Sequence, residues 1–265
     1  MHPILFTLGN HPVTGFLFFL LLGVLGAYGA VNWAASRRGL DPKLIPWMVG
    51  ATLVGGGAGT HLMSGLVYWS SLDQSSAAFR DGLSGMTDTG VFVFAEIALV
   101  LLAWRLKARP LAMLDAAAFA AATGSPIGRI GCLLAGCCYG QPTTMPWGFQ
   151  YPPDHAGTLA AHGLALHPTP LYMSLGVGAL WLVLLYLIRK KAPEGRILLT
   201  AWIGYAAVRV TVEFFRADVA RGSWFWGTLT SYQIICLAAV ALHVGIFWSI
   251  GQRRQLTLAA PHAVT

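Results

Sequence analysis

Residues 128–140 read GRIGCLLAGCCYG and put three of the chain's four cysteines beside an arginine. A thiolate, not a thiol, is the reactive form, and a neighbouring positive charge favours it. Cys132, Cys137 or Cys138 can therefore serve as a nucleophile or as a covalent carrier of an alkyl or acyl group. Cys132 can bridge to Cys137 or Cys138 if the loop folds back, whereas the adjacent Cys137 and Cys138 are poorly spaced for an unstrained disulfide. On an oxidising outer face such a bridge would staple the loop or take part in exchange. Three thiols can also hold a soft metal together with a histidine. The segment has no CxxC unit and no regular ladder of ligands, so neither a metal nor another cofactor is expected. The plainest alternative is small apolar side chains in a packed turn, and Cys236, deep in the last apolar stretch, reads that way.

A second cluster lies in GYAAVRVTVEFFRAD, residues 204–218, which carries Tyr205, Arg209, Glu213 and Arg216. Arg209 and Glu213 are spaced i, i+4 on one helical face, with Tyr205 one turn earlier on the same face. This spacing fits a structural ion pair, with Arg216 snorkelling to the surface, and equally a site for an anionic head group. Arg129 stands between GSPIG and IG, which predicts a break in the helix whose freed backbone donors, with the guanidinium, suit a phosphate. Glu96 is expected to be buried and to need a hydrogen-bond partner or a proton. Asp73 and Asp88 read as surface or capping groups, Asp88 also being a candidate base. His61 is either a satisfied core histidine or a cavity residue, and His167 in HPTPLY is a base placed between water and lipid.

The elements that must position these groups follow from composition. The 265 residues are 56% hydrophobic and 10% charged, with a mean hydropathy of +0.63, which points to an all-α polytopic membrane protein. The net charge of +7 is spread in short runs between apolar segments, which argues against a nucleic-acid partner. Four cysteines do not make a secreted disulfide scaffold, and the first apolar segment, lacking a basic leader and a cleavage site, reads as a retained helix.

Apolar stretches predict spans at 13–33, 45–69, 89–104, 111–127, 170–188, 197–215 and 230–250. Roughly 20 residues cross about 30 Å of hydrocarbon, so the third and fourth are short and expected to be tilted or broken. Arg and Lys gather after the first, third, fifth and seventh spans, which puts the N-terminus outside and the C-terminus in the cytoplasm. The link 140–169 is rich in Pro, Gly and His and reads as irregular structure on the outer face. VGGGAGTHLMSG in the second span demands a close helix contact or a bend. With no repeat and no soluble domain, residues 1–265 read as one membrane-embedded domain with a short, frayed cytoplasmic tail.

Taken together, GSPIGRIGCLLAGCCYG, HPTPLYMSLGVGALW and EGRILLTAWIGYAAVRVTVEFFRAD resemble the prolipoprotein diacylglyceryl transferases of bacterial inner membranes. The resemblance runs from about residue 15 to 245 and implies transfer of diacylglyceryl from phosphatidylglycerol to the cysteine of a prolipoprotein. It implies that Gly128, Arg129 and Gly131 bind the phospholipid head group together with Tyr205, Arg209, Glu213 and Arg216, toward the outer leaflet. His167, Pro168, Leu171 and Tyr172 match an element before the fifth span, and SYQ around Gln233 matches a short motif before the last helix.

This chain departs from the family pattern GRIGNFINGELWG at Cys132, Ala135, Cys137, Cys138 and Tyr139. His61 stands where an arginine is common, and MTDTGVF offers Asp88 or Thr89 about where the family has a histidine before two glycines. The phosphate half of the chemistry is thus expected from Arg129 and Arg209, while the thiol base must come from His61, Asp88 or His167. The alternatives are a thiol-dependent enzyme using Cys132, Cys137 and Cys138 for lipid-carrier, redox or metal-linked chemistry, and a lipid-binding or transport protein without catalysis.

Overall fold

The computed structural model describes residues 4–8, 11–71, 83, 85–151, 163–217, 223–224 and 229–259. Among them are seven long helices: α1 Gly15–Arg37, α2 Ile45–Ser71, α3 Asp88–Arg105, α4 Pro110–Ala135, α5 Thr169–Arg189, α6 Arg196–Glu213 and α7 Ser231–Ala259. Gly15–Arg37, Pro110–Ala135, Thr169–Arg189 and Ser231–Ile250 are long and apolar enough to cross a membrane. The 18-residue helices α3 and α6 carry ionisable residues within their length. Their burial of small residues, such as Ala34, Ala35, Ala103 and Ala112, with Leu25, Val54, Leu101 and Leu182 turned outward, inverts the habit of a water-soluble bundle.

Among the described residues six short strands accompany the helices, an addition to the all-α expectation. β1 Ile4–Leu8 pairs antiparallel with β2 His11–Thr14, β3 Phe149–Gln150 with β4 Ala165–Leu166, and β5 Ser223–Trp224 with β6 Leu229–Thr230. The 140–169 link is therefore partly ordered by a ribbon. Asp73 and most of YPPDHAG lie outside the described residues.

Most helix ends fall within a few residues of expectation, but α4 does not stop at 127. It runs unbroken through Pro126 and Arg129 to Ala135, and ends where Gly136 takes a left-handed φ of 70°. The expected break, with freed backbone donors around Arg129, is absent. Its glycines serve packing instead: a Cβ on Gly124 would stand 2.7 Å from the carbonyl oxygen of Gly23 on α1. The glycines of α2 do the same for α3, since a Cβ on Gly90 would meet the Gly59 carbonyl at 2.4 Å. That approach lets Thr60 Oγ1 donate to Thr87 O at 2.8 Å and accept from Thr87 N at 2.7 Å. Thr87 in turn caps α3 by accepting from Gly90 N.

At one end of the bundle the basic loops meet. Asp115, absent from the residues singled out by sequence, is fully buried in the second turn of α4. It pairs with Arg38 at 2.7 Å and accepts from the backbone of Gly195 and Leu198, each at 2.8 Å, closing the start of α6. Arg109 donates to the Arg38 carbonyl and pairs with Glu194. Halfway along, Glu96 finds two partners: Trp202 Nε1 donates to it at 2.9 Å, and His243 Nε2 lies 2.7 Å away.

Candidate functional site

At the opposite end, Asp88 opens α3, and three side chains from two other helices converge on one of its oxygens. Arg129 of α4 pairs with Asp88 Oδ2. Tyr205 of α6 donates to the same oxygen at 2.9 Å, and Arg209 Nε lies 3.9 Å from it. The other oxygen, Oδ1, accepts from Thr89 N at 3.0 Å. Asp88, read from sequence as a boundary group or a base, is the hub on which the arginines meet. With Oδ2 occupied by these donors, it is a poor proton acceptor for an incoming thiol.

Arg209 also pairs with Glu213, as the i, i+4 spacing predicts, and stacks over Tyr232 at 5.2 Å. Its Nε is buried with no hydrogen-bond acceptor among the described residues. Glu213 is tied to the start of α7: Thr230 Oγ1 donates to Glu213 Oε1 at 3.1 Å. Thr230 N donates to Gln233 Oε1 at 2.9 Å, while Gln233 N donates to Thr230 Oγ1 at 3.3 Å, a reciprocal capping box that accounts for SYQ. Arg216 is buried rather than snorkelling; its backbone bridges to Gly140, and its carbonyl accepts from Gln141 Nε2 at 3.1 Å. It lies near enough to act electrostatically on Asp88. Arg129, Arg209 and Arg216 against Asp88 and Glu213 leave the cluster one positive charge in excess.

Beside this cluster opens an apolar cavity of about 540 Å3, lined by residues such as Leu20, Val24, Val91, Leu99 and Leu180. Gly128 and Tyr205 also line it, so the cavity reaches the residue next to Arg129 and the phenol bonded to Asp88.

The two candidate histidines belong to other groups. His61 Nδ1 faces the carbonyls of Leu83 and Gly85, both at 2.9 Å, so it carries the proton and pins the chain entering α3. His167 Nδ1 lies 3.0 Å from Tyr172 Oη, which also accepts from Trp147 Nε1 at 2.8 Å, and His167 packs edge-on against Phe215. His243, which sequence reading passed over, was detectable as an ionisable residue in an apolar span.

Cys132, Cys137 and Cys138 do come together, with their sulfurs all within 4.8 Å of one another, and Cys236 stays apart and buried. Contacts from the Cys132 and Cys137 thiols, then the charges of Arg216 and Arg129, hold the Cys138 thiol well below the usual range despite burial. Burial pushes the Tyr151 hydroxyl up, and that hydroxyl donates to Leu133 O at 3.2 Å.

Fold and site together define a multi-pass helical membrane protein with a cationic centre at the edge of an apolar cavity. A family model described as prolipoprotein diacylglyceryl transferase matches residues 3–249, and the chain belongs to that family. It is similar to the phosphatidylglycerol–prolipoprotein diacylglyceryl transferase of Clostridium tetani, 30% identical over 93% of this chain and 97% of the relative. A second enzyme of that name, from Clostridium perfringens, is 31% identical over 83% of this chain and 84% of its own length. The Geobacter sulfurreducens enzyme is 30% identical over 89% and 92%.

Proposed function

We propose that this protein transfers diacylglyceryl from phosphatidylglycerol to the cysteine thiol of a prolipoprotein, the reaction named for its relatives. The observation that carries this reading is that Arg129 and Arg209 meet on Asp88 beside an apolar cavity that Gly128 and Tyr205 line. The single excess charge matches one phosphodiester, and the cavity suits acyl chains. Asp88 holds the two guanidiniums in place before lipid arrives, so little reorganisation remains when negative charge grows on the leaving phosphate. Arg209 Nε is a buried donor in need of an acceptor, which a phosphate oxygen supplies. Tyr205 and Glu213 set the orientation of this pair of arginines, and Arg216 adds to the field.

In the reaction the acceptor sulfur attacks the glyceryl carbon bonded to the phosphate oxygen. A carbon–sulfur bond forms, the carbon–oxygen bond breaks, and its electron pair leaves on glycerol phosphate.

All seven helices cross the inner membrane in this reading. The α1–α2, α3–α4 and α5–α6 connections meet around Asp115 and are basic, which favours the cytoplasm for that end and the outer leaflet for Asp88.

The test is the purified protein in vesicles containing phosphatidylglycerol, with a lipobox peptide as acceptor. Mass spectrometry is expected to find the peptide carrying a thioether-linked diacylglyceryl group. Folded protein that yields no such product, and that fails to replace the transferase in a depleted strain, overturns the reading.

A further inference from the structure

The three thiols of residues 132–138 have no part in binding the phosphate, yet the fold assembles them with care. Cys132 lies in the last turn of α4, three residues and so one helical turn beyond Arg129. The helix then stops at Gly136, and Cys138 adopts a φ of 60°, a left-handed conformation unfavourable for a residue with a side chain. Hydrogen bonds hold this turn, among them Gly136 N to Leu133 O at 3.3 Å and the Cys137 thiol to Cys132 O at 3.6 Å. Cys137 N donates to Cys132 O at 3.2 Å, Tyr151 Oη donates to Leu133 O at 3.2 Å, and Thr169 Oγ1 donates to Cys138 O. The result is three half-buried cysteines whose sulfurs lie within 4.8 Å of one another.

Zinc bonds thiolate sulfur at about 2.3 Å, and tetrahedral geometry then sets sulfurs about 3.8 Å apart. The present triangle, with its sulfurs within 4.8 Å of one another, is at most about 1 Å wider than that. Thiolates select soft or borderline ions over magnesium and calcium. Among the described residues no histidine or carboxylate joins the group, so three ligands come from the protein and a fourth position is left.

We propose that Cys132, Cys137 and Cys138 form a three-thiolate zinc site whose fourth position takes the acceptor cysteine of the incoming substrate. The proposal rests on the transferase reading and supplies what the Asp88 cluster lacks. That carboxylate is occupied by Arg129 and Tyr205, and His61 and His167 are engaged elsewhere, whereas an ordinary thiol with a pKa near 8.5 needs help to ionise. A thiol that coordinates zinc is deprotonated outright. The acceptor S–H bond breaks as sulfur displaces water from zinc, and the proton passes to solvent. A sulfur lone pair then forms the bond to the glyceryl carbon, while the carbon–oxygen pair leaves with glycerol phosphate onto Arg129 and Arg209. The ion stays Zn2+ throughout.

The test uses the full-length protein, purified in detergent under reducing conditions without chelator. Elemental analysis is expected to find one zinc per chain. Cys132→Ser, Cys137→Ser and Cys138→Ser should each weaken zinc binding at least about tenfold, and Cys236→Ala should not. Cobalt substituted for zinc should show thiolate charge-transfer and tetrahedral visible bands. The visible bands should shift when a lipobox peptide is added, and stay unchanged with a peptide whose cysteine is serine. Absence of zinc, equal binding by the triple serine variant, a disulfide within the cluster, or cobalt bands indifferent to the peptide thiol would each overturn the proposal. Diacylglyceryl transfer that persists in the triple serine variant sinks the zinc role and leaves the transferase reading standing. Peptide-responsive cobalt bands with no diacylglyceryl product under any condition support the site and sink that reading.

Discussion

Two aspartates, one at each end of the bundle, bind arginine, and they do opposite things. Asp115 is wholly buried, and its two oxygens take Arg38 and two backbone N–H groups of one helix start. Its donors come from one guanidinium and from the backbone of a single helix start. Asp88 is one-quarter exposed, and gathers Arg129, Tyr205 and Arg209 from helices that it does not cap. One of its guanidiniums keeps a buried donor without an acceptor among the described residues, beside a cavity that Gly128 and Tyr205 line. Burying an ion pair is costly at either end, but a carboxylate closed by backbone is a joint, whereas one shared by competing arginines is, on the proposed function, a seat for a second anion.

The largest test of this contrast is Asp115→Ala. It leaves Arg38 buried without its carboxylate, and breaking such a pair costs about 3–5 kcal/mol. Thermal unfolding in detergent should register that loss, and the surviving folded fraction should still bind phosphatidylglycerol. Native stability with lost lipid binding would reverse the two roles. Arg209→Lys keeps the charge and removes the fork, so diacylglyceryl transfer should fall about a hundredfold with far less effect on unfolding than Asp115→Ala. Equal turnover would remove the argument for a forked phosphate contact. Tyr205→Phe deletes one hydrogen bond to a charged oxygen, and turnover should fall about tenfold; a change in unfolding alone would make the phenol a structural prop. Smallest is Glu194→Ala. Its partner Arg109 is more than half exposed, and such pairs contribute about 0–1 kcal/mol, so stability should barely change and the change should vanish in high salt.

Seven helices and the residues of the arginine cluster were legible because each leaves a strong local signal. Apolar length marks the spans, and the i, i+4 spacing of Arg209 and Glu213 marks one face of α6. What the sequence concealed was which distant residues share a partner. Asp88 gives no local sign of being a hub, because its partners lie 41 and 117 positions away. The glycines around Arg129 suggest a break, yet they admit α1, since a missing Cβ serves packing as readily as bending. Asp115 was missed although an acidic residue in AMLDAAAF is conspicuous; its meaning depends on a helix start some eighty residues later. The cysteines could be counted from sequence but not brought together, because the left-handed turn at Cys138 is visible only in the backbone.

Those separations along the chain govern how the protein is made. Helices enter the bilayer in the order of synthesis, and Asp88 arrives first. Arg129 comes 41 residues behind it, and Tyr205 comes 117 behind. A nascent chain that stops before α6 has one arginine on its carboxylate, so the Asp88 cluster is complete only when synthesis is nearly over. A fragment ending before the sixth helix has Asp88 and Arg129 but lacks Tyr205 and Arg209, the two side chains that complete the cluster.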